Sequence, residues 1–334
     1  MGRRTTYGPF SDRITMIELE PTSRVFVAGH RGLVGAALVR RFQQAAFCNL
    51  ILRTRAEVDL TEREAVLGLF RETAPECVII AAARVGGIAA NMAAPVDFLL
   101  ENLQIQNNLL EACQRFQVKK AVFLGSSCVY PREAPQPMRE SSFMHGPLEP
   151  TNESYAVAKI AGIRLAQAMH EQYGLEVICP MPCNVYGPGD HFEFERSHVV
   201  SALVRRFVEA KQQNAATVIL WGTGNARREF LHVDDLADAC LFLLQHFHSP
   251  ELVNVGSGVD FAIRELAEMV GRAVGYTGRV EWDTTKPDGM PRKLLDVTKL
   301  QALGWRSKIG LEEGLGMVVA DFHRWQSLSK GNVA

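Results

Sequence analysis

Ser126, Cys128, Tyr155 and Lys159 carry the side chains of this chain best suited to chemistry. Tyr155 and Lys159 are spaced i, i+4, which on a helix stacks them one turn apart on one face. A phenol ordinarily ionises near pH ~10. A neighbouring ammonium favours the phenolate, so the spacing predicts an acid–base pair that works near neutrality. A tyrosine and a lysine on a solvated helix face would show the same spacing. Two features set this pair apart: Ser126 upstream at a strand end, and a glycine-rich loop near the N-terminus.

That loop reads Gly29-His30-Arg31-Gly32-Leu33-Val34-Gly35, and it follows a strand and opens a helix. In that setting Gly29 makes the tight turn, Gly32 lets a pyrophosphate approach the backbone, and Gly35 lets helix and strand pack closely. The helix N-terminus, with free N–H groups and a favourable dipole, takes the anion. A site for NAD wants an acidic residue ~20 positions on, at the end of the second strand. Here that strand ends Leu52-Arg53-Thr54-Arg55 with no acid. Arg55 together with Arg31 suits a 2′-phosphate, and Arg53 could do the same work, so the expected cofactor is NADP(H). Asp59 and Leu60 follow, where a carboxylate could take a hydrogen bond from the adenine amine. The small residues at 81–87 (AAARVGG) end a third strand where a bulky cofactor must lie against backbone.

The elements that must hold these groups are legible from periodicity. Residues 24–28, 50–52, 77–82 and 121–124 are short apolar runs, and helical spacing fills 33–45, 62–72 and 94–116 between them. Such alternation predicts an α/β fold, a doubly wound parallel sheet with right-handed crossovers and helices on both faces. A long helix is expected over 155–173 and a strand over 176–182. After Asn184 the character changes: 186–196 is a Gly/Pro/aromatic loop, 198–211 a helix and 218–221 a strand. A long helix opened by Asp234 or Asp235 lies within 230–247, followed by a strand at 252–255 and a helix at 263–274. We divide the chain into an N-terminal extension (1–22, disordered until Ser23), a dinucleotide-binding Rossmann domain (23–185, with later segments returning to it) and a smaller, interleaved α/β substrate domain (186–334).

Composition limits the partners. The 334 residues are 47% hydrophobic with a formal net charge of −1, which argues against a nucleic-acid or anionic-membrane surface as the main partner. No apolar run approaches the ~20 residues that span a bilayer. The seven cysteines are scattered and mostly sit in apolar segments, without zinc spacing, so a reduced, cytoplasmic, metal-free protein is expected.

The glycine loop, GSSCVYP at 125–131 and the Tyr155/Lys159 pair resemble the extended short-chain dehydrogenase/reductases that act on nucleotide sugars. AGHRGLVG, LRTRAEVDL, EPTNESYAVAKIAG, REFLHVDD and KPDGMPRKLLDV bring the chain close to one branch of that family. Its members carry out an NADPH-dependent 3,5-epimerisation and 4-reduction of GDP-4-keto-6-deoxymannose. The resemblance runs from about Arg24 to about Phe322; Arg84 and Cys183 depart from it, where lysine and threonine would be expected.

The chemistry follows from the ketone. A carbonyl at C4 acidifies the hydrogens on C3 and C5, so each centre can be inverted by removing a proton on one face and returning one on the other. Ser126 and Tyr155 suit the ketone oxygen. Cys128, with a thiol whose pKa of ~8.5 is easily lowered beside cations, and His198, which titrates near neutrality, are the candidates for proton removal and return. The residues alone leave the direction open; the resemblance implies Cys128 as base and His198 as acid. It further implies that Tyr155 protonates the C4 alkoxide and that Lys159 lowers its pKa while binding the nicotinamide ribose. Gly125, Ser126, Pro182, Asn184, Val185 and His198 would line the cofactor. Arg206, Trp221, Arg228 and Asp288 would hold the GDP moiety, and the helices at 94–116 and 155–173 would pair two subunits in a homodimer. A 4,6-dehydratase would need a carboxylate where Ser127 and Cys128 stand, and a 4-epimerase would hold NAD, against the Arg31/Arg55 pattern. A non-catalytic NADP-binding regulator would lack the tyrosine or the lysine.

Overall fold

In the computed structural model, which describes residues 19–193, 197–286 and 288–331, the strand–helix alternation closes into one twisted sheet. The first half runs β1 (Val25–Ala28), α1 (Leu33–Gln44), β2 (Leu50–Ile51), α2 (Arg63–Thr73), β3 (Cys77–Ile80), α3 (Ile88–Ala93), α4 (Pro95–Arg115), β4 (Lys120–Phe123) and α5 (Glu153–Tyr173). It continues through β5 (Glu176–Pro182), β6 (Asn184–Tyr186), α6 (Val199–Gln212), β7 (Thr217–Trp221), β8 (Arg227–His232), α7 (Val233–His246) and β9 (Leu252–Val255). The last part is β10 (Asp260–Ala262), α8 (Ile263–Val274), β11 (Arg279–Asp283), β12 (Arg292–Lys293), α9 (Thr298–Ala302) and α10 (Leu311–Gly331).

The central sheet has six parallel strands in the order β2-β1-β3-β4-β5-β9. Every residue of β1, β3, β4 and β9 is buried, as strands covered by helices on both faces must be. The order turns back at β1, so a crevice opens between the ends of β1 and β3, the place where doubly wound sheets bind ligands. Phe26, Ile79, Ile80, Phe123 and Leu109 anchor the core beneath it.

The strand β9 and helix α7 return to this sheet from the second half of the chain. Asp234 and Asp238 of α7 take ion pairs from Arg40 (2.6 Å) and Arg41 (2.8 Å) of α1. The cap of α7 is neither Asp234 nor Asp235 but His232, whose Nδ1 accepts from the Asp234 amide at 3.2 Å. A second core, built on Tyr186, Phe207, Phe230, Leu266 and Phe322, lies under α6, α8 and α10. It carries two small sheets: β8 pairs with β6, β10 and β12, and β7 with β11. Residues 1–18 of the expected N-terminal extension lie outside the described residues. From Glu20 the chain already turns into β1, with Ser23 N donating to the Glu20 carbonyl at 2.8 Å.

Candidate active site

The glycine loop is shaped by close approach. Gly29 has φ +82° and a side chain there would strike the backbone of Ala82; a Cβ on Gly35 would overlap the Gly29 carbonyl. Gly32 caps α1 without any side-chain partner, which leaves the first N–H groups of that helix facing the crevice. His30 adds a buried Nδ1 with no hydrogen-bond partner among the described residues. A pyrophosphate fits this cradle: backbone donors are presented and the loop itself, residues 29–35, carries no acidic side chain.

From here one cleft of about 1110 Å³ runs across the carboxyl ends of β1, β3, β4 and β5 and into the second core. It is lined by all seven loop residues, by Arg53, Arg55, Asp59, Leu60, Gly125, Ser126, Cys128, Tyr155 and Lys159, and by Pro182, Asn184, Val185 and His198. At its far end stand Trp221, Arg228 and Asp288. The Arg206 guanidinium donates to the Ile219 carbonyl at 2.9 Å, two residues before Trp221 on the same strand.

The two arginines at the end of the second strand differ in their partners. Arg55 is paired with Glu101 (2.8 Å) and Asp59 (3.5 Å), and Arg84 shares the same Glu101 at 2.9 Å. Arg53 donates to the Leu52 carbonyl and acts on Glu57 through its charge, and neither it nor Arg31 makes an ion pair as close as those of Arg55 among the described residues. Asp59 is further occupied by the amide and hydroxyl of Thr61.

Ser126 caps the short turn after β4, its Oγ accepting from the Cys128 amide at 3.3 Å. Burial alone would push the Cys128 thiol up. The Lys293 ammonium, 3.5 Å from Sγ, and hydrogen bonds from Ser126, Lys293 and Asn152 outweigh that and bring it below its ordinary value. Asn152 Nδ2 donates to the sulfur at 3.2 Å. Burial and the Cys128 charge push Tyr155 upward, against a hydrogen bond with Ser126, so the phenol keeps its proton. Lys159 Nζ donates to the Leu124 carbonyl at 2.8 Å and lies 5.9 Å from the Tyr155 ring centre. Burial lowers Lys159 itself to about 8.

Facing them, His198 caps α6, with Nδ1 3.1 Å from the Asp190 carboxylate, and this contact raises its pKa against burial. Trp221 is 64% exposed, a flat face free for a base or ribose, with Lys286 Nζ 5.7 Å from its ring centre. Arg228 donates to the Arg227 and Met290 carbonyls, at 2.8 and 2.5 Å. Asp288 accepts from the amide and hydroxyl of Thr223, at 2.9 and 2.6 Å, and so ties down the turn beside Trp221. Sequence reasoning missed Lys293, Asn152 and Asp190. Their only signal was position inside the quoted motifs (PTNES, RKLLDV) or in the loop before His198, because each meets its partner through the fold.

A glycine-cradled dinucleotide crevice joined to a serine, tyrosine and lysine defines a nucleotide-binding epimerase or reductase. The chain belongs to the NAD dependent epimerase/dehydratase family, whose model matches residues 25–256. More narrowly, it is similar to a putative GDP-L-fucose synthase 2 of Arabidopsis thaliana, 56% identical over 89% of this chain and 90% of that protein. It is 49% identical to the GDP-L-fucose synthase of Escherichia coli (strain K12), over 90% of this chain and 96% of that protein. The crystal structure of an NADP-bound GDP-L-fucose synthetase from Naegleria fowleri superposes with a TM-score of 0.86 at 28% identity, covering 93% of this chain and 96% of that one.

Proposed function

We propose that this protein is an NADPH-dependent GDP-L-fucose synthase, converting GDP-4-keto-6-deoxy-D-mannose to GDP-L-fucose by 3,5-epimerisation and 4-reduction. The observation that carries the reading is the pairing, in one cleft, of a thiol held low by Lys293 with a histidine held high by Asp190. A simple ketone reductase needs neither. An epimerase that inverts centres beside a ketone needs one group ready to take a proton and another ready to give it.

Cys128 takes the proton from C3 or C5, and His198 returns one on the opposite face. Ser126 and Tyr155 hold the C4 oxygen, which gathers charge as the enolate forms. NADPH, when bound, supplies the hydride to C4. Tyr155, protonated because burial and the nearby thiolate hold its pKa up, donates its proton to the alkoxide. Gly29, Gly32 and Gly35 present the helix N-terminus to the pyrophosphate, and Arg31 with Arg53 takes the 2′-phosphate. Arg55 holds Glu101 and Asp59 in place beside it. Trp221 stacks on the guanosine, and Arg228 binds its diphosphate.

The active unit we propose is a homodimer in a reducing, cytoplasmic setting. Val96 (68% exposed) and Leu100 (52%) lie one turn apart on α4, with Met92 (64%) near the end of α3 before them, exposed apolar side chains suited to a second copy. The described cysteines are unpaired, and no described helix is long and apolar enough to cross a membrane. The test of the catalytic reading is a coupled assay with GDP-4-keto-6-deoxymannose. NADPH should be consumed once per sugar and the product should be the L-fuco isomer. NADPH oxidation that yields an uninverted 6-deoxyhexose would reduce the protein to a reductase, and release without net NADPH use would make it an epimerase.

A further inference from the structure

Asp190 was in none of the motifs, yet it is a buried carboxylate in contact with His198, which lines the cleft. Its side chain is 1% exposed and is saturated by three donors. The His191 amide (2.9 Å) and His198 Nδ1 (3.1 Å) meet Oδ1, and the Ser201 hydroxyl (2.5 Å) meets Oδ2. Two of these, His198 and Ser201, come from the first turn of α6 and one from the preceding loop, so the carboxylate pins the start of the helix to the loop.

The donor set requires an anion. A buried carboxylate left uncompensated is costly, whereas one that accepts three hydrogen bonds stays ionised. Burial would raise the Asp190 pKa, but His198, Ser201 and the His191 amide together hold it low. The imidazole therefore meets a charge through Nδ1, and its Nδ1 must carry the hydrogen. Nε2, on the other side of the ring, is left for the cleft that His198 lines.

We propose that Asp190 is the positioning residue of the proton donor, fixing the His198 ring and keeping it an imidazolium whose Nε2–H is aimed at the reacting sugar. The assignment rests on the epimerase reading above. It gives that reading a direction: of the two candidate groups, the one beside a carboxylate gives the proton and the one beside an ammonium takes it. Among the described residues Asp190 is the charged group acting on His198; Cys128, Tyr155, Lys159, Arg228 and Asp288 line the other walls of the same cleft. On the loop itself, His191 is paired with Glu193 at 3.5 Å.

The experiment compares Asp190→Asn, Asp190→Glu and His198→Gln in the full-length enzyme, following NADPH binding, deuterium entry from D₂O, and inversion at C3 and C5 as a function of pH. Asp190→Asn is expected to bind NADPH as the parent does. Inversion should fall about 10²-fold, the lower end of what general acid–base catalysis supplies, and its alkaline limb should move to lower pH. Deuterium should still enter with retention of configuration, because Cys128 can exchange a proton on its own face. Asp190→Glu, which restores the charge, should recover part of the loss and return the limb toward its original position. A fall in rate without movement of the limb would make Asp190 a purely structural anchor and overturn the proposal. So would an unchanged rate, provided His198→Gln abolishes inversion; if His198→Gln also leaves inversion intact, it is the epimerase reading that fails. Should Asp190→Asn not fold, the His198 ring protons of the parent enzyme decide the matter by NMR. A titration midpoint above the ordinary histidine value supports the proposal, and one at or below it overturns it.

Discussion

Lys293 and Cys128 lie 165 residues apart in the chain and meet at 3.5 Å, Nζ against Sγ, where β12 passes under the turn that follows β4. A thiol in so closed a place would ordinarily be the weaker for it. Other cysteines show the alternative: burial pushes Cys77, Cys179 and Cys240 up to about 12 and Cys183 well above its ordinary value, in Cys77 and Cys183 even against the charge of Lys120 and Lys293, neither of which hydrogen-bonds those sulfurs among the described residues. Cys128 alone among the cysteines with a shift is moved down, and the difference is the ammonium together with the donors that accompany it.

Replacing Lys293 by methionine keeps the stem and removes the charge. A charge-assisted hydrogen bond is worth roughly 1.5–3 kcal/mol, which corresponds to about one to two pH units in the thiol. The sign follows from the thiolate being the active form: its pKa rises, so the acid limb of the epimerisation profile moves to higher pH. Alkylation of Cys128 by iodoacetamide at neutral pH, read by peptide mass, should slow in parallel. An unmoved limb and an unchanged alkylation rate would mean that the lysine is only packed there.

Arg53 and Arg55 look alike in sequence but differ in their partners, and the proposed roles can be separated by substitution. Arg53→Ala should raise the KM for NADPH with little effect on NADH, at a cost near 1.5–3 kcal/mol for the lost phosphate contact. Arg55→Ala removes the partner of Glu101 and Asp59 and should weaken both cofactors to a similar, smaller extent. If Arg55→Ala alone discriminates between NADPH and NADH, the phosphate belongs to Arg55, and its ion pair with Glu101 opens on binding.

These residues mark how much could be read before the fold was known. The glycine loop, the strand ends and the Tyr155/Lys159 spacing were legible because each depends on neighbours within one turn or one strand–helix unit. The partners of the catalytic groups were not. Lys293 reaches Cys128 through the pairing of β12 with β8, and Asp190 reaches His198 through a loop that local periodicity leaves featureless. Arg206 shows the limit from the other side: its side-chain type suits a diphosphate, but only the fold shows that its guanidinium meets the Ile219 carbonyl beside Trp221. The cap of α7 shows the same limit on a smaller scale. Asp234 and Asp235 have the preferred side chains, yet His232 makes the contact, while Asp235 accepts the amides of Lys308 and Ile309.

Tyr155→Phe tests the reduction separately. The ring and its packing remain, and only the proton donor is lost, so NADPH should bind normally while kcat for NADPH oxidation falls by ~10²–10⁴-fold. Deuterium entry at C3 and C5 should outlast the loss of reduction, since Ser126 still holds the C4 oxygen. Stopped-flow absorbance at the nicotinamide band separates the two steps. Reduction near the parental rate would require another acid in the cleft.

Cys128→Ser asks whether the two halves of the chemistry are separable at all. A hydroxyl occupies nearly the same space and can keep the hydrogen bonds from Asn152 and Lys293, so the cleft should keep its shape. What changes is the readiness to ionise: neither the ammonium nor the amide can bring an aliphatic hydroxyl into the range where it accepts a carbon-bound proton. Both target hydrogens lie beside the C4 ketone, and Tyr155, which must stay protonated to complete reduction, cannot serve as their base. Exchange of solvent deuterium into C3 and C5 should therefore fall by ~10²–10⁴-fold, with NADPH affinity unchanged. Hydride transfer to the unepimerised ketone would then continue slowly, and the product isolated should be a 6-deoxyhexose with the starting configuration at C3 and C5. Deuterium entry at the parental rate in this variant would leave Cys128 as a packing residue and place the base elsewhere in the cleft.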